Sequence, residues 1–243
     1  MKVFTEMSKC IIGFDVWGTL LDLEKIFKIL VEVMSTTSGI KPSTATELIF
    51  RVYDEMKTLR RVNPSLKPRE LLLHSRRALA QALNTPEEKL DEALNGVFIN
   101  LEERDVVFPD VLPALRALKS KGIRMGIIGN VLFWPSNYTI KLLKRVKILP
   151  YIEYVVFSDE VGVSKPDREI FLAFSKIASV DLKDVIYVGD NIAEDVGGAL
   201  ASGAVGVLID RKSQKHLIVP ELRIALIHDL QQVIIIHDAF CGG

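Results

Sequence analysis

The residues best equipped for chemistry are two aspartates in the stretch Val188-Gly189-Asp190-Asn191-Ile192-Ala193-Glu194-Asp195. An apolar run, Val185-Ile186-Tyr187-Val188, stops abruptly at Gly189-Asp190, and Asp195 follows at an expected helix start. Both carboxylates then lie at the carboxyl edge of a buried strand, where open α/β sheets bind their ligands. Neighbouring carboxylates repel, so they call for a cation, and a hard oxygen-ligated ion such as Mg²⁺ suits them. Asp190 on its own could equally cap a helix. Three further segments tip the balance towards chemistry.

Ile11-Ile12-Gly13-Phe14 reads as a short buried strand that runs into Asp15-Val16-Trp17-Gly18-Thr19-Leu20, with a glycine placed for a sharp turn. Arg124 to Ile128 is a second such run and ends in Gly129-Asn130. Gly162-Val163-Ser164-Lys165-Pro166-Asp167 is a loop that carries a lysine just ahead of a Pro-Asp helix start. In a parallel sheet the strand ends share one side, so these polar groups can converge.

The order of these motifs resembles the haloacid dehalogenase superfamily of hydrolases. That family carries Asp-x-Asp-x-Thr, a Ser or Thr after its second strand, a Lys and a paired-acid Gly-Asp motif. Here they correspond to Asp15 with Thr19, Gly129-Asn130, Lys165, and Asp190 with Asp195. The resemblance covers most of the chain outside roughly residues 24–105.

The chain departs from the family pattern at two positions. The second Asp of the first motif is the general acid and base of the family's phosphatases, and here it is Trp17. Losing a positioned acid or base costs about 10²–10⁴-fold in rate. Acyl and aryl phosphates, whose leaving groups need little protonation, should suffer least. The Ser or Thr of the second motif is Gly129, which offers a backbone N–H but no hydroxyl. An aromatic residue at the Trp17 position is a feature of the family's 2-haloacid dehalogenases, whose halide leaves without a proton. Those enzymes work without metal and lack the acidic pair, so Asp190 argues for phosphoryl transfer.

The resemblance implies a mechanism. Asp15 would be the nucleophile and would form an aspartyl-phosphate. Mg²⁺ would be held by Asp15, Asp190 and the backbone carbonyl of Trp17. Lys165 would offset the remaining negative charge, and Thr19, Gly129 and Asn130 would position the first loop and the substrate. Asp195 would orient Lys165 or metal-bound water from behind. The expected activity is that of a Mg²⁺-dependent phosphatase on a small phosphorylated metabolite with a good leaving group. The alternatives are a metal-free dehalogenase-like hydrolase using Asp15 and a degenerate member that binds without turnover.

The composition agrees with an enzyme acting on a small anionic substrate. The chain has 243 residues, with Lys plus Arg and Asp plus Glu both at 31. That balance leaves no global footprint for nucleic acid or a membrane surface. No apolar run approaches the ~20 residues that span a bilayer. Met1 to Cys10 does not read as a signal peptide, so the expected location is the cytoplasm. Cys10 and Cys241 default to reduced thiols there, although termini often lie close enough for a bridge. The sequence does not choose between monomer and homodimer.

These groups must be held by an α/β architecture. Strand-like and helical runs alternate from Asp110 onward, which predicts a Rossmann-like parallel sheet with helices on both faces. Strands are expected at Arg124–Ile128, Tyr154–Phe157, Val185–Val188 and Val205–Ile209, with a further short strand and a terminal helix between Ile224 and Ala239. Between Leu23 and Asn100 the period is helical instead, in four stripes that begin with Leu23, Ile26, Phe27, Leu30, Val31 and Met34. Thr85-Pro86-Glu87-Glu88 reads as a capping box with proline at N1 of the fourth helix. The expected organisation is a core of residues 1–22 and 106–243, with a helical-bundle cap at 23–105 that excludes water from the site. Lys57, Arg60, Arg61, Lys67, Arg69, Arg76 and Arg77 could focus an anion towards the cleft, and Trp134 could line it.

Overall fold

The computed structural model describes residues 10–102 and 106–242. The reading of the leading segment therefore falls, up to Lys9, outside the described residues. Seven strands form one sheet: β1 (Ile11–Phe14), β2 (Arg124–Gly129), β3 (Tyr154–Phe157), β4 (Val185–Gly189), β5 (Val205–Ile209), β6 (Leu217–Val219) and β7 (Ile224–Ile227). Their order is β3-β2-β1-β4-β5-β7-β6, parallel throughout except where β6 runs antiparallel to β7. The α/β expectation holds, and β6 is the strand it did not anticipate.

Alternating side chains divide the core into two layers, as a pleated strand requires. Ile12, Phe14, Ile127, Ile186 and Val188 point into one layer, and Ile11, Ile128, Val185 and Tyr187 into the other.

Four helices separate β1 from the rest of the sheet in sequence: α1 (Leu23–Ser38), α2 (Pro42–Val62), α3 (Pro68–Ala82) and α4 (Glu87–Asn100). The α1 stripe is buried as its spacing predicts; Asp22 caps the start and Gly39, at φ +67°, closes the end. The α4 start corrects the expected capping box. Pro86 takes the N-cap position, and no side chain caps the helix. The helices α5 (Val111–Ser120), α6 (Ser136–Arg145), the short α7 (Ser158–Val161), α8 (Arg168–Ala178), α9 (Gly198–Ser202) and α10 (Val233–Cys241) belong to the alternating part. Apolar residues of α8 and α9 cover one sheet face, while those of α5, α6 and α10 join the other, in the layer that also contains the inner faces of α1–α4.

The default of two reduced thiols is also corrected. Cys10, directly before β1, is disulfide-bonded to Cys241 at the end of α10, with a Cα–Cα distance of 6.2 Å. The return of α10 to the edge of the sheet layer brings these distant residues together. Among the described residues, no helix is long and apolar enough to cross a membrane.

Candidate active site

Sheet register brings three segments of the site together. Phe14 pairs with Ile127 on one side and Val188 on the other, and the Asp15 N–H donates to the Val188 carbonyl at 2.8 Å. Asp15 therefore emerges beside Gly189-Asp190 and Gly129-Asn130 at the carboxyl edge. Two glycines let the carboxylates approach. A Cβ on Gly18, at φ +83°, would lie 2.4 Å from an Asp190 oxygen, and one on Gly189 would lie 2.3 Å from the Asp195 carboxylate. Carboxylate oxygens of Asp15, Asp190 and Asp195 all lie within 4.8 Å of one another.

Lys165 lies buried among them. Its Nζ donates to Asp15 Oδ1 at 2.6 Å, Asp195 Oδ1 at 2.8 Å and the Tyr187 hydroxyl at 2.7 Å. An ammonium has three donors, so Lys165 is fully engaged. The Tyr187 hydroxyl in turn donates to the Ile128 carbonyl at 2.6 Å. The second oxygen of Asp195 accepts from the Asn191 N–H at 2.9 Å, so both of its oxygens are occupied. Asn130 clamps the Lys165 backbone, accepting from its N–H at 2.9 Å and donating to its carbonyl at 3.1 Å.

Three carboxylates face one ammonium, with Asp15, Asp195 and Lys165 buried and Asp190 exposed to the cleft. Burial pushes the Asp15 carboxyl up to about 7, with the charges of Asp195 and Asp190 adding to the effect and Lys165 opposing it. Asp190 opens onto the cleft, yet the cleft walls and Asp195 raise it to about 6. For Lys165, burial favours the neutral amine, but Asp15 and Asp195 outweigh it and hold the group protonated. Burial likewise keeps Tyr187 a neutral phenol. The site thus carries excess negative charge that a cation would balance.

The remaining predicted residues are placed differently. Thr19 is buried away from the cleft, its hydroxyl without a hydrogen-bond partner among the described residues, while its carbonyl accepts from Arg211 at 2.6 Å. Gly129 has a physical reason to be glycine, since a Cβ there would lie 2.3 Å from the Phe157 ring. Trp17 turns its ring towards Trp134, at 5.3 Å between centroids, and Phe98, at 6.4 Å. Trp134 both packs and lines the cleft.

Over this edge lies a cleft of about 620 Å³, roofed partly by α2 through Phe50, Tyr53, Lys57 and Arg60. Their 3-4-3 spacing puts all four on one helix face. Arg60 Nη2 meets Glu194 Oε2 at 2.7 Å, and Asn130 Nδ2 reaches the same oxygen at 3.3 Å. Burial disfavours the Glu194 carboxylate, but Arg60 overrides it and holds the group below the usual range. Of the other basic residues in that stretch, Arg69 docks on the Asp159 carbonyl at 2.8 Å, and Arg76 and Arg77 pair with Asp91 and Glu87 of α4. Sequence reasoning missed the Arg60–Glu194 pair and the Tyr187 hydroxyl. Only the tyrosine had a local signal, as the one polar tip in an apolar strand.

Comparison with known proteins gives the family. A family model described as haloacid dehalogenase-like hydrolase matches residues 11–203. A glyceraldehyde 3-phosphate phosphatase from Methanopyrus kandleri is 34% identical over 43% of this chain and 43% of its own, so the match spans less than half of that relative. The pyrimidine 5′-nucleotidase YjjG of Escherichia coli is 30% identical over 65% of this chain and 68% of its own. Among solved structures, L-2-haloacid dehalogenase from Xanthobacter autotrophicus superposes with a TM-score of 0.70 at 17% identity, covering 92% of this chain and 96% of that one. That likeness is one of fold. The chain belongs to the haloacid dehalogenase-like hydrolases.

Proposed function

We propose that this hydrolase is a Mg²⁺-dependent phosphatase working through an aspartyl-phosphate on Asp15, with residues 1–22 and 106–243 as its core and 23–105 as a cap. The observation that carries the reading is the cluster of Asp15, Asp190 and Asp195 oxygens within 4.8 Å. The donor set fits a hard divalent ion, being all oxygen and short of positive charge. Because both Asp195 oxygens are engaged by Lys165 and Asn191, the residues that would hold the ion are Asp15, Asp190 and the Trp17 carbonyl. Bound there, Mg²⁺ would keep Asp15 ionised and offset charge on the phosphoryl group.

In the first step Asp15 attacks phosphorus, the bond from phosphorus to the leaving oxygen breaks, and the leaving group departs with the electron pair. Water then cleaves the acyl phosphate, releasing inorganic phosphate and restoring Asp15. Lys165 fixes the Asp15 carboxylate in place throughout, with Asp195 and Tyr187 fixing Lys165 in turn. Trp17 can neither protonate the leaving group nor activate that water, so the favoured substrates are small phosphorylated compounds with good leaving groups. The relatives named glyceraldehyde 3-phosphate phosphatase and pyrimidine 5′-nucleotidase support this reading.

A dehalogenase-like reading draws on Trp17 and on Arg60, a cap arginine at the cleft. Arg60 is already paired with Glu194, and Asp190 would repel a carboxylate substrate. The test is p-nitrophenol release from p-nitrophenyl phosphate, with Mg²⁺ and with chelator, beside Asp15→Asn. Turnover lost in both chelator and variant is expected. No turnover above the variant would sink the phosphatase reading, and 2-chloropropionate would then be assayed.

A further inference from the structure

The cleft contains five cationic side chains, and three are committed. Lys165 spends all three donors on Asp15, Asp195 and Tyr187. Arg60 is held by Glu194. Arg211 is held by both oxygens of Asp110 and by the Thr19 carbonyl, and stacks 3.9 Å from the Phe108 ring. Lys212 is exposed on the rim. Lys57 differs from all four. It is half-buried on the cleft face of α2, its Nζ 5.1 Å from the Tyr53 ring centroid, with no ion pair to any carboxylate among the described residues. Its charge is nevertheless felt at the site, where it lowers the pKa values of Asp190 and Glu194.

We propose that Lys57 is a specificity-determining residue that binds a second anionic group, such as a carboxylate, on the carbon body of the phosphorylated substrate. A partly buried lysine facing the cleft gains from a charged hydrogen-bond partner. Among the described residues no carboxylate pairs with Lys57, whereas Lys165, Arg60 and Arg211 are each tied to a carboxylate. The surrounding walls are Phe50 and Tyr53 from α2 and Trp17, Phe133 and Trp134 from the sheet edge, so the body between the two anions is apolar or aromatic. Arg60, one turn further along α2, is tied to Glu194 and so anchors this part of the helix over the edge. This inference rests on the phosphatase reading.

The experiment compares kcat/KM for phenyl phosphate with that for 3- and 4-carboxyphenyl phosphate, in the Mg²⁺-loaded wild type and in Lys57→Met, Lys57→Gln, Lys57→Arg and Lys212→Met. Dividing the variant's carboxylated-to-plain ratio by that of the wild type cancels leaving-group reactivity. The ratio is expected to fall about tenfold in Lys57→Met and Lys57→Gln, as for loss of one charged hydrogen bond. It should be largely kept in Lys57→Arg and unchanged in Lys212→Met. A ratio that survives in Lys57→Met, or that collapses in Lys212→Met instead, overturns the assignment. Equal losses on all three substrates overturn it too, placing Lys57 on the transferring phosphoryl group. Absence of turnover by the wild type on every substrate would sink the phosphatase reading and this inference together.

Discussion

The carboxyl edge of the sheet and the α2 face opposite it hold charge in contrasting ways. At the edge Lys165 has three partners, one of them a tyrosine with its own anchor, and Asp195 has two. On α2, Arg60 meets one carboxylate and Lys57 meets only an aromatic ring. Reacting groups must be fixed within fractions of an ångström, which calls for redundant contacts. Recognition groups must release one partner to accept another. On the proposed reading, the density of contacts around Lys165 marks the chemistry and the sparse contacts of Lys57 mark selection.

The sharpest way to break that contrast is Lys165→Met. It should lower turnover by at least about 10³-fold, as expected when one member of an interlocked catalytic set is removed. It should also cost about 3–5 kcal/mol in urea unfolding, because Asp15 and Asp195 lose their buried counter-charge. A smaller change would mean the edge is less interlocked than its hydrogen bonds imply. Arg60→Met tests the other side. Turnover should fall only about tenfold. Combining it with Glu194→Gln should show a coupling energy of about 1–3 kcal/mol, and strict additivity would deny the pair any linkage.

Acid and base should separate the two regions by sign. In chelator, Asp15 and Asp190 have folded pKa values near 7 and 6, above the ordinary 3.8. Their contribution to stability is full below the unfolded pKa and is lost as pH rises through those values. Glu194, depressed, contributes above its unfolded pKa and loses that contribution as pH falls through the folded one. The Tm of the metal-free protein should therefore fall between pH 4 and 7, and Mg²⁺ should raise it most at pH 7. In Glu194→Gln the loss of Tm on acidification below pH 4.5 should shrink. A metal-free Tm that is flat from pH 4 to 7 contradicts the edge's charge excess. The smallest effect on turnover belongs to Cys10→Ser with Cys241→Ser, which touches neither region. It should leave kcat unchanged while lowering stability by about 2–4 kcal/mol.

What could be read from the sequence follows the same contrast. Asp15, Lys165, Asp190 and Asp195 each follow a strand or precede a helix, so local pattern places them, and β1, β3 and β5 have the expected bounds. The four helical stripes are equally visible, because burial imposes a period of 3.6. Arg60 and Glu194 are 134 residues apart and share no pattern, so only the fold joins them. The edge strand β6 escaped because three residues after a polar run carry too little alternation to register. On α2 a single helical period hides two apolar faces: Ala45, Ile49, Val52 and Met56 are buried in the core, while Phe50 and Tyr53 turn to the cleft.

The bond between Cys10 and Cys241 turns nearly the whole chain into a covalent ring. A single cut anywhere within that ring leaves one molecule rather than two. The exposed loop between α2 and α3, at residues 63–67, is a natural place for such a cut. The break would divide the helical insertion between two fragments, one carrying Asp15 and Lys57, the other Lys165 and Asp190. They would migrate as a single species until a thiol reductant was added. Covalent order along the polypeptide and membership in the active site thereby become separable properties of this enzyme.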